Sequence, residues 1–168
     1  MQKCKKFLAI ALAICLVSSF YIMPTFAANV AILDWHLVDS GNHLDWSGST
    51  GYQTQFNAAV NIWNNYKSGV IRKDSWNTIN DVTISDYYEV SSTAGVTAKA
   101  GTIKFNTYQM DNYTTSKKRN VCAHELGHAL GLAHNQKGDI MYAYVSIVTS
   151  LSANDKASYN ARDRKSVV

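Results

Sequence analysis

The sequence predicts an α+β domain. Short β-branched or alternating stretches gather in its middle, two segments of helical periodicity frame them, and a third helix follows near the end. The order is strand, helix, strands, helix, loop, helix. That order places most of the sheet before the second helix.

The elements are clear once the leader is set apart. Residues 1–27 open with Lys3, Lys5 and Lys6, continue through the apolar run "FLAIALAICLV" and end "PTFAAN" around the cleavage position. This is the layout of a secretory signal peptide cleaved after Ala27, with small residues at Thr25 and Ala27. The apolar run falls short of the ~20 residues a membrane span needs, and Ile14 stands where a lipidation site wants a small residue. The mature chain is therefore expected to be secreted, without a membrane anchor. Removing 27 residues of 168 leaves 141, a length that suits one domain at 28–168 with a core at about 43–162. Thirteen basic residues then stand against twelve acidic ones, so no basic surface argues for nucleic acid. Cys4 and Cys15 leave with the leader; Cys122 alone cannot make an internal disulfide. An exported domain without a disulfide needs another source of rigidity, and a bound metal would be one.

Residues 28–42 carry "VAIL" and "WHLV", which are expected to pair as strands. "HLDWSG", His43–Gly48, reads as a short strand closed by glycine. Phe56, Ala59, Val60, Trp63 and Tyr66 recur at helical spacing, and Ser68-Gly69 ends that helix. "DVTISDY", Asp81–Tyr87, is β-branched and alternating, hence a strand. Gly95–Met110 reads as two strands around Gly101; in the second, Ile103, Phe105 and Thr107 face the core while Lys104 and Asn106 face water. Thr115 or Ser116 is expected to cap the next helix, with Gly131 as its stop. "LSANDKASYNAR" opens a last helix with Ser152 as N-cap and Asp155 three residues on, a variant capping box. The tail after Arg162 is expected to be solvated.

"VCAHELGHALGLAHN", Val121–Asn135, holds three of the five histidines. His124 and His128 are four apart, so on a helix they lie ~40° apart around the axis and ~6 Å apart along it. Both imidazoles can then reach one metal ion, with Glu125 on the same flank. On an unbroken helix His134 would lie ~15 Å up the axis from His124. Gly131 removes that obstacle, because glycine adopts positive φ and lets the chain turn back. Three neutral imidazoles with an open fourth position form a catalytic zinc arrangement. Zinc so held lowers the pKa of its water to roughly 7 and polarises a carbonyl, and Glu125 can take the water's proton and pass it to a leaving amine. The chemistry expected is amide hydrolysis without a covalent intermediate. Cys122 lies ~200° around the helix from His124, in register with Leu126, Ala129 and Leu130, on the core face.

"HELGHALGLAH" resembles the metzincin zinc signature. "DIMY" follows with Met141, then "LSANDKASYNA", an order most similar to the matrixin branch. The resemblance is specific over residues 117–162 and consistent in order back to about residue 43. It implies a zincin-like fold: a small twisted mixed sheet with a zinc-site helix, a Met-turn and a C-terminal helix. It implies His124, His128 and His134 as ligands, Glu125 as general base and Met141 as the hydrophobic floor beneath the metal. It also implies a protein or peptide substrate added as an extra strand along a sheet edge, for which "GVTAKA" (Gly95–Ala100), including Gly95, Val96, Thr97 and Ala98, is the candidate. Tyr142 and Tyr144 would line the specificity pocket. Ala143 stands where some metzincins place a tyrosine ligand. Tyr87–Thr102 has no histidine for a second zinc, so one catalytic zinc ion is expected; calcium is possible but has no supporting motif. His36 and His43 match no ligand position and are read as surface or strand residues.

The function expected is that of a secreted, monomeric zinc endopeptidase. The competing expectation is a secreted binding domain that uses zinc only structurally. Glu125 separates the two, since a structural site has no need of a carboxylate beside its ligands.

Overall fold

The computed structural model describes residues 27–165. Apart from Ala27, the expected leader lies outside the described residues. The elements are β1 (Leu44–Gly48), α1 (Gln53–Tyr66), β2 (Ile71–Lys73), β3 (Val82–Tyr87), β4 (Gly95–Ala98), β5 (Thr102–Asn106), α2 (Thr107–Met110), α3 (Thr115–Ala129) and α4 (Ala153–Lys165).

The strands form one mixed sheet in the order β2-β1-β3-β5-β4. The first four run parallel, and β4 lies antiparallel to β5 with Thr97 opposite Ile103. Alternation gives the sheet one apolar face. Val82 and Ile84 on β3, and Ile103 and Phe105 on β5, are buried, whereas Thr83 and Lys104 between them are exposed. That face is covered by the Phe56, Ala59 and Trp63 stripe of α1. Phe56 meets Trp46 edge-on at 5.0 Å and Phe105 at 6.2 Å. Behind α1, the Trp63 indole Nε1 donates to the Ala123 carbonyl of α3 at 3.0 Å, which ties the zinc-motif helix to the core. Cys122, on that side of α3, is fully buried as expected, and burial pushes its thiol well above the usual range.

Several expectations are corrected. "VAIL" and "WHLV" do not pair with each other. Residues 29–37 run instead as a strap along the end of α3. Leu37 N donates to Ala129 O at 2.9 Å, Leu33 N to Gly131 O at 2.8 Å, and Ala31 O accepts from Ala133 N at 3.1 Å. The reason is local: carbonyls at a helix C-terminus have no partner within the helix, and the strap supplies N–H groups.

The second strand of the 95–110 region ends at Asn106, and Thr107–Met110 is a helical turn. Asn106 does not face water but is fully buried. Its Oδ1 accepts from Tyr108 N at 3.2 Å and Glu89 N at 3.0 Å, and its Nδ2 donates to the carbonyls of Glu89 and Thr93. These bonds cap α2 and fix the preceding loop, which strand continuation could not do. The cap of α3 is Thr114 rather than the expected Thr115 or Ser116; its Oγ1 accepts from Lys117 N at 3.4 Å.

At α4 the capping box forms as read. Ser152 Oγ accepts from Asp155 N at 3.0 Å, and Ser152 N donates to Asp155 Oδ2 at 2.9 Å. The helix runs past Arg162 to Lys165, so the start of the expected solvated tail is helical. No helix of the described residues is long and apolar enough to cross a membrane.

Candidate metal centre

Helix α3 delivers His124 and His128 to one side, with ring centroids 4.6 Å apart. The helix then closes in a Schellman pattern: Gly131 N donates to His128 O and Leu132 N to Gly127 O, both at 2.9 Å. Gly131 has φ of +92°, and a Cβ there would stand 2.8 Å from Arg162 Nε and 3.1 Å from His36 Cβ. The positive φ favours glycine, and a side chain there would also press on Arg162 and His36. The returning limb, Leu132–Asn135, brings His134 to ring-centroid distances of 5.2 Å from His124 and 4.9 Å from His128. Its far end is held by Asn135 N donating to Met141 O at 2.7 Å. Asn29 Nδ2 donates to Asn135 Oδ1 at 2.7 Å and Asn135 Nδ2 to the Asn29 carbonyl at 3.0 Å, so the strap clamps the limb as well.

The donor atoms converge. His124 Nδ1 donates to Ile140 O at 2.9 Å, and His128 Nδ1 to Leu132 O at 2.8 Å. Each ring therefore keeps its proton on Nδ1 and offers the Nε2 lone pair. One nitrogen from each of the three rings lies within 4.8 Å of the others, and His128 Nε2 is 3.2 Å from His134 Nε2. Nitrogens bound tetrahedrally at zinc distances stand about 3.3 Å apart. Burial, and for His124 also His128, holds the two helical imidazoles below their ordinary pKa, His124 down to about 3, so both are neutral as a ligand must be. These residues fit a zinc ion.

Met141 is buried, packed so closely against Gly127 that a Cβ there would collide with its sulfur. The turn bearing it is set by α4: Asp155 Oδ2 accepts from Ile140 N at 2.9 Å and Oδ1 from Met141 N at 3.2 Å. Asp155 thus fixes the carbonyl that orients His124. The capping motif was visible in the sequence, but this second use of the same carboxylate was not.

Glu125 is 5 % exposed, and burial raises its carboxyl to about 7 against a lowering by a bond from Thr97. It lines a cleft of about 690 Å³ together with the three histidines. Gly95, Val96 and Thr97 of β4 form one wall, and Tyr142, Ala143, Tyr144 and Val145 the other. Ala98 ends β4 outside that lining. The Tyr142 and Tyr144 rings lie 5.4 Å apart, and Tyr144 is largely exposed.

Sequence reading missed Asn120, one turn before His124. Its Oδ1 accepts from Ser146 N at 2.9 Å and its Nδ2 donates to Val148 O at 2.8 Å, which pins the segment after that second wall. The signal available was an asparagine placed among core-facing residues of a helix.

The sequence profile of the family described as Matrixin matches residues 72–166, more than half of the chain. The chain belongs to the matrixin family. A search of curated proteins finds no match. As a matrixin, it carries a domain of zinc metallopeptidase type. The family implies zinc, and the His124, His128 and His134 cluster is where this matrixin offers converging donors. A second group of ligand atoms, on Asp39, Asp45 and Asp81, is already answered by Arg72, whose Nε and Nη2 donate to Asp45 at 2.8 and 2.7 Å. This group gives calcium, left possible by the sequence, no support. His36 packs beside Gly131, and His43 donates its backbone N–H to Asp39; neither joins the cluster.

Proposed function

We propose that this matrixin is a secreted endopeptidase that acts as a monomer and cleaves protein or peptide chains at a single zinc centre held by His124, His128 and His134. One observation carries the reading: a buried carboxyl, Glu125, lines an open cleft directly beside the converging imidazoles. A closed structural site would have four protein ligands and no use for that carboxyl. When bound, zinc supplies Lewis acidity, acidifying water and polarising a carbonyl.

The chain's own residues do the rest. Burial raises the Glu125 carboxyl above its ordinary range, a direction that suits it to take up a proton. It accepts the proton of the attacking water and returns it to the departing amine. Among the described residues no strand pairs with the outer edge of β4, which ends the sheet order, and an extended peptide can add there. Tyr142 and Tyr144 line the same cleft as that strand and would meet a substrate side chain. Secretion rests on the leader-like residues 1–27.

The test is casein digestion by the purified chain, by its zinc-stripped form and by Glu125→Gln. The first should cleave, and the other two should lose at least a hundredfold in rate. Zinc binding by Glu125→Gln should be retained. Equal rates in all three would overturn the zinc-peptidase reading, and no cleavage of varied proteins by the zinc-loaded chain would favour the binding-domain reading.

A further inference from the structure

Strand β4 does more than border the cleft. Its residues alternate: Val96 is exposed, while Gly95 and Thr97 face α3. The Thr97 hydroxyl donates to Glu125 Oε2 at 2.7 Å and also lies 2.9 Å from the Glu125 carbonyl. It has one proton to give, and the carboxylate is the nearer acceptor. Among the described residues this is the carboxylate's hydrogen bond, so Oε2 is anchored and Oε1 is left without a protein partner. Beside it, a Cβ on residue 95 would stand 2.9 Å from both Glu125 Cγ and Oε1. A side chain at residue 95 would press on the carboxylate and force it to shift. Glu125 also supplies the only carboxylate lining the cleft among the described residues.

We propose that Thr97 is a positioning residue. Its hydroxyl holds one oxygen of Glu125 so that the other is presented for proton transfer, in a slot opened by Gly95. The inference rests on the reading of Glu125 as the proton acceptor. It gives β4 two tasks at once. The strand that would register a peptide along its outer edge also fixes, through its inner side, the group that acts on that peptide. A buried glutamate with a free Oε1 and no anchor would sample several rotamers, each costing time in the productive orientation.

The experiment uses the zinc-loaded full chain and a quenched fluorescent peptide copied from a casein cleavage site. Thr97→Val removes the hydroxyl and keeps the shape. It should lower kcat about tenfold to a hundredfold, the range for losing a hydrogen bond to a charged group. KM should stay within about twofold and the zinc Kd should not change. Thr97→Ser, which restores the hydroxyl, should recover kcat to within about threefold of the unaltered chain. Gly95→Ala keeps the hydroxyl but crowds the slot, and should also lose kcat.

A second readout does not depend on turnover. The chain has only two glutamates, Glu89 and Glu125. In a carboxyl-carbon NMR spectrum of glutamate-labelled protein, Thr97→Val should move the Glu125 signal and leave that of Glu89. An unchanged kcat with an unmoved Glu125 signal would overturn the proposal, as would a serine variant as impaired as the valine one. If Glu125→Gln cleaves as fast as the unaltered chain, the peptidase reading fails, and the spectrum alone then decides whether Thr97 anchors the carboxylate.

Discussion

At Glu125, burial raises the carboxyl from 4.5 to about 7. A pKa raised in the folded state means that the native protein holds a proton the unfolded chain has released between those two values. Stability from this group is therefore intact below about pH 4.5 and is lost as pH rises through 7. In the metal-free protein, Glu125→Gln should be close to neutral at pH 4.5 and more stable than the unaltered chain by up to about 3 kcal/mol at pH 8. Urea unfolding at the two pH values measures this, and a difference that does not change with pH would contradict it. The sequence named this residue because the HExxH spacing carries the glutamate on the flank of its histidines. The same spacing could not reveal Thr97, 28 positions away on strand β4. Thr97 appeared in the sequence only as part of a substrate edge. Gly131 was legible because a turn there is the only way to return His134, whereas Gly95 and Gly127 owe their identity to Glu125 and Met141, which only folding brings against them.

Among the elements, α1, α3 and α4 were readable from periodicity and caps, and β1, β3, β4 and β5 from alternation or glycine punctuation. Strand β2 was not, because three residues, Ile71–Lys73, show no period. Its contribution is nonetheless specific: Arg72 reaches across to pair the buried Asp45 carboxylate within the sheet. The α2 turn was hidden because Asn106 satisfies strand alternation until its side chain caps the next turn. The joint between α4 and the Met141 turn yields a prediction of its own. Asp155 accepts from the backbone N–H groups of Ile140, Met141 and Ser152. Asp155→Ala strands these buried donors and removes half of the capping box. It should cost about 2–4 kcal/mol in urea unfolding and weaken zinc binding, because the Ile140 carbonyl that orients His124 is released. Loss of stability with an unchanged zinc Kd would show that the turn holds its shape without α4.

For the molecule as a whole, the candidate centre joins a helix, a returning limb and, through Asn29, the strap at the start of the described chain. A ligand that binds only this folded arrangement stabilises it by about 2.7 kcal/mol when free ligand reaches a hundred times its Kd. Zinc should therefore raise the melting temperature in a concentration-dependent way, and a chelator should reverse the rise; a melt indifferent to both would argue against a site assembled by folding. The clamp on the limb has a consequence for the order of assembly. Asn29 bonds to Asn135 and Asn154, and Ala31 to Ser158, across 106, 125 and 127 residues of sequence. Contacts closed over such spans form late, since the loop entropy must be met before they give anything back. Helix α3 can present its two histidines from local structure, but the third takes its final place only when residues at opposite ends of the domain have found each other. A chain still being made would carry two histidines ready and a third without its frame.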